Sequence, residues 1–294
     1  MSIRKELYGI CGALCSPFDD SGEHVDDVRL GTLIDRQIEA GVHGLVLCSG
    51  TGEFAYLRPE ERRHMIEMGL RHIDGRVAGI AHTSATNLRD GIDLAKHAAD
   101  HGADALMILP PYFEGPDEAG VYAFYEGIAK AVDCPIVVYN IPVHSGFDVT
   151  PALFKRLLEI DGIDYIKDST GDLVRIQQLI ATGGKVLNGG DPIACFSMMA
   201  GTVGCIWGAV NVMPRQTVDL YTLIREGDHA AALALWQKIA PANIHFWQSQ
   251  YIPTIKAATN MMGYDVGPCR QPIQPLTSAQ IAELENVLAP LSES

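Results

Sequence analysis

Residues Ala105–Asn140 read ALMILPPYFEGPDEAGVYAFYEGIAKAVDCPIVVYN and contain one complete repeat of the fold. Ala105–Pro110 and Pro135–Asn140 are short apolar runs rich in strand-forming residues, and Ala119–Val132 between them has helical periodicity. A helix that joins two strands of one sheet returns the chain in the same direction, so the strands pair in parallel. This stretch therefore predicts a strand–helix–strand unit.

The same alternation fills the first three quarters of the chain, with further helical patterns at Val28–Glu39 and Gln216–Ile224. Eight such units within residues 1–226 predict a (β/α)8 TIM barrel, which usually spans roughly 250 residues. An open doubly wound sheet is the alternative, but no G-x-G-x-x-G motif follows the first strand. The predicted strands are Tyr8–Phe18, Gly44–Ser49, Val77–Thr83, Ala105–Pro110, Pro135–Asn140, Ile163–Lys167, Lys185–Gly189 and Gly204–Asn211.

The last quarter of the chain has a different pattern. Strand-like runs end, and three helical patterns follow: His229–Ile239, Ile244–Lys256 and Ser278–Leu288. The sequence therefore predicts a catalytic barrel over residues 1–226 and a small three-helix C-terminal domain over residues 227–294.

Charge and hydropathy limit the partners of the 294-residue chain. Lys and Arg total 22 against 36 Asp and Glu, a net charge of −14 without the basic stripe that nucleic-acid binding requires. The longest apolar runs fall short of the ~18–20 residues that a membrane-spanning helix needs. The sequence therefore predicts neither a nucleic acid nor a membrane as partner.

The N-terminus and the cysteines bear on localisation. Met1–Glu6 carries basic residues with no apolar segment behind them, so no signal peptide is expected. The seven cysteines are scattered without a C-x-x-C pair, which is typical of reduced, buried thiols. These features predict a cytoplasmic protein.

One lysine stands out among the polar residues that follow the strands. The active site of an α/β barrel lies at the C-terminal ends of its strands, and Lys167 closes the sixth strand. An amine partly removed from water there is available as a nucleophile, or alternatively pairs with a carboxylate such as Asp168. Tyr139 ends the neighbouring strand, as a proton carrier beside Lys167 or as a packed core tyrosine. The other strand-end candidates include Ser16, His82, Thr83, Tyr112, Asp191 and Asn211.

Two further motifs bear on ligands. Ser49–Glu53 is a glycine-rich turn before a helix, whose backbone N–H groups suit a carboxylate or a phosphate. His97 and His101 have i, i+4 spacing but lack the glutamate of an H-E-x-x-H motif, so they are interpreted as a solvated helix face. No metal site is predicted.

Three segments resemble the signatures of the dihydrodipicolinate synthase / N-acetylneuraminate lyase superfamily. They are Ser49–Glu53, Tyr139–Pro142 and Ile166–Asp172, in the family's order and approximate spacing. Leu109–Phe113 and Asn211–Pro214 match as well. The resemblance covers essentially the whole chain.

The resemblance implies a class I lyase that forms a Schiff base between a lysine and a small 2-oxo acid such as pyruvate. It implies that Lys167 is the Schiff-base lysine and Tyr139 the proton-transferring phenol. Gly50 and Thr51 would hold the substrate carboxylate. A protonated imine is itself an electron sink, so no metal or nucleotide cofactor is implied.

The chain departs from the synthase pattern at three positions. Gly50 replaces a second hydroxylated residue, Phe113 replaces a second tyrosine, and His144 replaces an arginine that binds the aldehyde substrate's carboxylate. Neuraminate lyases have an acidic residue after the aspartate matching Asp191, where this chain has Pro192. These departures favour an aldolase or dehydratase of a 2-keto-3-deoxy sugar acid, with synthase or neuraminate lyase activity as the alternative.

The same positions predict partners. An imidazole at His144 lacks the two-pronged donor geometry of arginine, so it suits a sugar hydroxyl better than a carboxylate, with loop capping as the alternative. Tyr112 and Phe113 match the segment that meets a neighbouring subunit in the family, so a homodimer or homotetramer is expected. The hydroxyls missing at Gly50 and Phe113 leave a second class of function open, a non-catalytic barrel that binds a small acid.

Overall fold

The computed structural model describes residues 4–292, in which eight parallel strands close into a barrel in chain order. Met1–Ile3 of the N-terminal segment and the last two residues of the predicted C-terminal domain lie outside the described residues. The strands are β1 (Gly9–Ala13), β2 (Gly44–Leu47), β3 (Ala78–His82), β4 (Ala105–Ile108), β5 (Ile136–Asn140), β6 (Ile163–Asp168), β7 (Lys185–Asn188) and β8 (Gly204–Trp207).

Helices surround the barrel and then continue beyond it. The helices are α1 (Asp27–Glu39), α2 (Pro59–Ile73), α3 (Leu88–Asp100), α4 (Glu118–Ala129), α5 (Pro142–Ser145), α6 (Pro151–Leu157), α7 (Leu173–Ile180), α8 (Ala194–Met199), α9 (Pro214–Glu226), α10 (His229–Gln248), α11 (Tyr251–Met261) and α12 (Ser278–Ser292). The predicted (β/α)8 barrel with C-terminal helices is confirmed.

Strand alternation decides which side chains reach the barrel interior. On β5, Ile136 and Val138 pack against the surrounding helices, whereas Val137 and Tyr139 belong to the interior cluster. Tyr165 on β6 also faces inward. Because side chains two residues apart share a face, Lys167 points inward as well.

The predicted first strand is too long. Tyr8–Phe18 is apolar, but only Gly9–Ala13 pairs with its neighbours. Phe18 is buried for another reason, since the cationic ends of Lys256 and Arg270 lie over its ring at 4.2 and 4.4 Å from the centroid. Apolarity there reflects contact with the C-terminal segment, which a local pattern does not show.

The C-terminal helices also differ from their sequence patterns. Helix α10 runs through Pro241 without a break, because Trp236, Ile239 and Phe246 keep one face buried on both sides of the proline. Among residues 4–292, no helix combines the length and apolarity needed to cross a membrane. The domain boundary at residues 226 and 227 and the cytoplasmic localisation stay predictions.

Candidate active site

Lys167 and Tyr139 lie side by side at the C-terminal end of the barrel. They occupy directly paired positions on β6 and β5, and each side chain is only 5% exposed. The Nζ atom of Lys167 lies 4.1 Å from the centroid of the Tyr139 ring. Within the part of the chain that the structure describes, this ammonium makes no salt bridge. The structure thus brings together the two residues that the sequence singled out.

Asp168, the carboxylate weighed as a partner for Lys167, is committed elsewhere. It accepts hydrogen bonds from Asn140 Nδ2 at 2.8 Å and from Thr170 Oγ1 at 2.5 Å. Burial raises the pKa of Asp168, and the hydrogen bonds from Thr170 and Asn140 oppose that rise. Asp168 therefore fixes the ends of β5 and β6 and leaves the Lys167 amine unpaired with it.

Gly189 makes room for Lys167, a role that the sequence analysis missed. A Cβ atom at this position would lie 2.6 Å from Cε of Lys167 and 2.2 Å from Oγ of Ser169, closer than real Cβ atoms approach other atoms. Only glycine permits the lysine stem to pass at this distance. A glycine at a strand end is too common for the sequence to reveal this function.

The glycine-rich turn after β2 lies close to the Tyr139 hydroxyl group. A Cβ atom built on Gly50 would meet the Tyr139 hydroxyl at 3.7 Å, an ordinary contact, so space remains there. Thr51 is nearly buried, and its Oγ1 lies 3.0 Å from the Cβ position of Gly208, which follows β8. Gly50 therefore lies beside the Tyr139 hydroxyl group, and Thr51 lies beside the end of β8.

A buried ion pair holds this turn in place. Glu53, with a left-handed φ of 56°, accepts hydrogen bonds from Lys256 Nζ at 2.7 Å and from the backbone N–H of Arg270 at 2.9 Å. The side chains of Glu53 and Lys256 are 0% and 2% exposed. Removing one member of such a pair leaves a buried charge uncompensated, which lowers the free energy of unfolding by about 3–5 kcal/mol. The sequence analysis missed the pair because its members are 203 residues apart.

Asp191 contributes a buried carboxyl group beyond β7. Its Oδ1 accepts a hydrogen bond from the Tyr251 hydroxyl at 3.2 Å, and its Oδ2 has no hydrogen-bond partner among the described residues. Burial raises the pKa of Asp191 to about 7, against the opposing effects of the Tyr251 hydrogen bond and the Lys167 charge. Near neutral pH this group therefore exchanges a proton.

His82 is a further buried polar residue near Tyr139. The sequence analysis gave it only as one strand-end candidate among several. Its ring lies 6.1 Å from the Tyr139 ring between centroids, and its Nε2 pairs with Ser84 Oγ at 2.7 Å. Burial, together with the positive charges of Arg62 and Lys167, holds the pKa of His82 well below its ordinary value. The imidazole is therefore neutral at physiological pH, and it adds no positive charge beside Lys167.

The remaining predicted residues lie at the rim. Phe113 is 87% exposed with a left-handed φ of 73°, and Tyr112 packs its ring edge-on against Phe54 at 6.0 Å between centroids. His144 is exposed on the single turn of α5, and its ring forms no hydrogen bond or ion pair within residues 4–292. The structure does not bring His144 into contact with Lys167 or Tyr139.

A family model describes almost the entire chain. The model of the dihydrodipicolinate synthetase family matches residues 6–290. This chain belongs to that family. The resemblance that the three sequence motifs indicated is thereby confirmed.

Several relatives match nearly the whole length of the chain. A 4-hydroxy-tetrahydrodipicolinate synthase of Methanothrix thermoacetophila is 33% identical over 290 residues, 97% of each chain. A synthase of the same name from Phenylobacterium zucineum is 35% identical over 94% of each chain. The chloride-inhibited dihydrodipicolinate synthase of Acinetobacter baumannii, solved with pyruvate, superposes with a TM-score of 0.92 at 32% identity, covering 99% of each chain.

Membership in the dihydrodipicolinate synthetase family confirms part of the chemistry predicted above. The chain is a class I lyase that works through a lysine Schiff base. Enzymes of this family use neither a metal nor a nucleotide as cofactor.

Proposed function

We propose that Lys167 forms the Schiff base with pyruvate and that Tyr139 carries the protons. The observation that carries this assignment is the contact between the Lys167 amine and the Tyr139 ring. Both residues are buried, and among residues 4–292 no carboxylate pairs with the amine. The Acinetobacter relative was solved with pyruvate, which supports pyruvate as the 2-oxo acid. The turn at Gly50 and Thr51 would hold the pyruvate carboxylate with its backbone N–H groups.

The proposed reaction balances with these groups alone. Nζ of the Lys167 amine, in its neutral form, attacks C2 of pyruvate, and one amine proton moves to the carbonyl oxygen. This oxygen then takes the phenolic proton of Tyr139 and leaves as water, which produces the protonated imine and a phenolate. The resulting phenolate removes a proton from C3, which converts the protonated imine into a nucleophilic enamine. C3 then attacks an aldehyde carbon, whose oxygen takes the proton back from Tyr139, and water releases the product from Lys167.

We propose 4-hydroxy-tetrahydrodipicolinate synthase activity, with aspartate semialdehyde as the aldehyde. The names of the relatives at 33–35% identity support this choice. A specific observation favours a second candidate, a 2-keto-3-deoxy sugar acid lyase. Gly50 and Phe113 lack the hydroxyl groups of the synthase pattern, and the exposed His144 replaces its arginine. Asp191, with one carboxyl oxygen unpaired, would bind a polar group of either aldehyde.

Competing aldehydes separate the two candidates. Purified enzyme is given pyruvate with aspartate semialdehyde or with glyceraldehyde, and kcat/KM is measured for each pair. The proposed synthase turns over aspartate semialdehyde at least tenfold more efficiently. The reverse preference would replace it with the sugar-acid candidate. If neither pair gives a product but pyruvate still raises the Tm of the protein, the result would support a barrel that binds a small acid without catalysis.

We further propose that a second copy of the chain covers Phe113, as part of a homodimer or homotetramer. The support is a large apolar side chain at 87% exposure, held outward by a left-handed backbone conformation. Sedimentation velocity at micromolar concentration tests this directly. Phe113→Asp should shift the population towards monomer, and a stable wild-type monomer would contradict the proposal.

A further inference from the structure

A cluster of three metal-binding side chains lies on the outer helices, away from the strand ends. Glu67 is on α2, and His97 and His101 are on and just after α3. One ring nitrogen of each histidine and one carboxylate oxygen of Glu67 all lie within 4.8 Å of one another. The sequence showed only the two histidines, because the carboxylate comes from the neighbouring helix.

Backbone carbonyl groups orient both imidazole rings. His97 Nε2 lies 3.0 Å from the carbonyl oxygen of Arg63, and His101 Nδ1 lies 2.7 Å from the carbonyl oxygen of His97. Since a carbonyl oxygen only accepts, each of these nitrogens carries the proton. The other nitrogen of each ring, Nδ1 of His97 and Nε2 of His101, makes no contact with a backbone carbonyl group and is the one that a metal ion would bind. Metal-binding histidines in proteins almost always have their second nitrogen fixed in this way.

The carboxylate is oriented as well. Oε1 of Glu67 pairs with the guanidinium of Arg71 at 2.5 Å, while Oε2 lies 3.6 Å from Nε2 of His101. The two imidazole rings are 4.3 Å apart between centroids. Tetrahedral zinc with bonds of about 2.0–2.1 Å needs ligand atoms roughly 3.3 Å apart. The three ligand atoms lie within 4.8 Å of one another, so they would have to approach by up to about 1.5 Å to bind one ion.

We propose that Glu67, His97 and His101 bind one divalent ion of the zinc class. Two imidazole nitrogens and one carboxylate oxygen suit zinc, and they do not suit magnesium or calcium, which prefer oxygen ligands. Water would fill the fourth position. The ion would join α2 to α3, so its effect is on stability, and it has no part in the Schiff-base chemistry at the barrel mouth.

Variants and a matched control test the site. Zinc binding to metal-free protein is measured by competition with a chromophoric chelator, and cobalt binding by the visible absorption of tetrahedral Co²⁺. One ion per chain is expected, together with a Tm that rises with zinc concentration. His101→Ala and Glu67→Gln should each weaken zinc binding at least about tenfold.

His72→Ala is the control, because His72 on α2 faces only one carboxylate, Asp35, at 3.0 Å. This variant should bind zinc like the wild type. Glu67→Gln keeps the shape of the side chain, so its Tm without metal shows whether the fold is intact. The proposal is overturned if zinc fails to bind at micromolar concentration, or if His101→Ala and Glu67→Gln bind zinc as tightly as His72→Ala.

Discussion

The inner and outer halves of the candidate active site differ in burial. Lys167, Tyr139 and Asp191 are at most 5% exposed and lie where the sequence motifs placed them. Phe113 and His144 at the rim are exposed, and both depart from the synthase pattern. The proposed function assigns the 2-oxo acid to the inner half and the aldehyde to the outer half.

The difference shows what limits variation at each place. An inner side chain is fixed by strand register, by neighbours such as Gly189 and by the cost of burying polar groups. A rim side chain has few contacts, so a change there costs little stability. Substitutions at the rim should therefore be tolerated more easily than substitutions at Lys167 or Tyr139.

The largest effect is expected from Tyr139→Phe. This change keeps the ring that packs on the Lys167 amine and removes only the hydroxyl group. Loss of a proton-transfer group lowers kcat by roughly 10²–10⁴-fold. Steady-state kinetics with pyruvate and the preferred aldehyde check the effect. A fall of less than tenfold would remove Tyr139 from the mechanism.

Two glycines of the inner half give a matched pair of alanine variants. Gly189→Ala places a methyl group 2.6 Å from Cε of Lys167, and a misplacement of about 1 Å can cost about 10²-fold in rate. Gly50→Ala adds a methyl group 3.7 Å from the Tyr139 hydroxyl, where it fits. We expect kcat to fall about a hundredfold for Gly189→Ala and less than about threefold for Gly50→Ala. If both variants lose kcat equally, crowding of the Lys167 side chain is not the reason why position 189 requires glycine.

Asp191 makes the stability of the inner half depend on pH. Its folded pKa of about 7 lies above the unfolded value of about 3.9, so the folded state binds more protons between these values. Stability therefore falls as pH rises from about 4 to 7, by up to about 4 kcal/mol. Urea unfolding should show that Asp191→Asn, relative to wild type, gains stability as pH rises from 4 to 8.

Tyr251→Phe serves as the companion variant. It removes a hydrogen bond that opposes the rise in the pKa of Asp191, so the pH-dependent loss should extend to higher pH. Parallel pH profiles of Asp191→Asn and wild type would show that this carboxyl group does not titrate between these values.

The smallest effects are expected at the rim. His144→Ala should change kcat/KM for the aldehyde by less than about threefold, equivalent to under about 0.7 kcal/mol, and leave the KM for pyruvate unchanged. His144→Arg supplies a permanent cation and should improve the use of aspartate semialdehyde. A large increase in the KM for pyruvate in either variant would contradict the division between inner and outer halves.

The sequence was most informative where structure is local or periodic. The alternation of strands and helices predicted the barrel, and positions at strand ends predicted Lys167 and Tyr139. It was least informative about contacts between distant segments. Glu53 and Lys256 form an ion pair although 203 residues separate them in the chain. The space beside Gly189 depends on the path of the Lys167 side chain. No local pattern encodes such contacts.

The central claim is that Lys167 forms an imine with pyruvate. Borohydride reduction in the presence of pyruvate, followed by peptide mass spectrometry, tests it most directly. The account predicts one reduced adduct per chain, located on Lys167 and missing from a folded Lys167→Ala variant. An adduct on any of the other seven lysines, or an unmodified chain at saturating pyruvate, would contradict it.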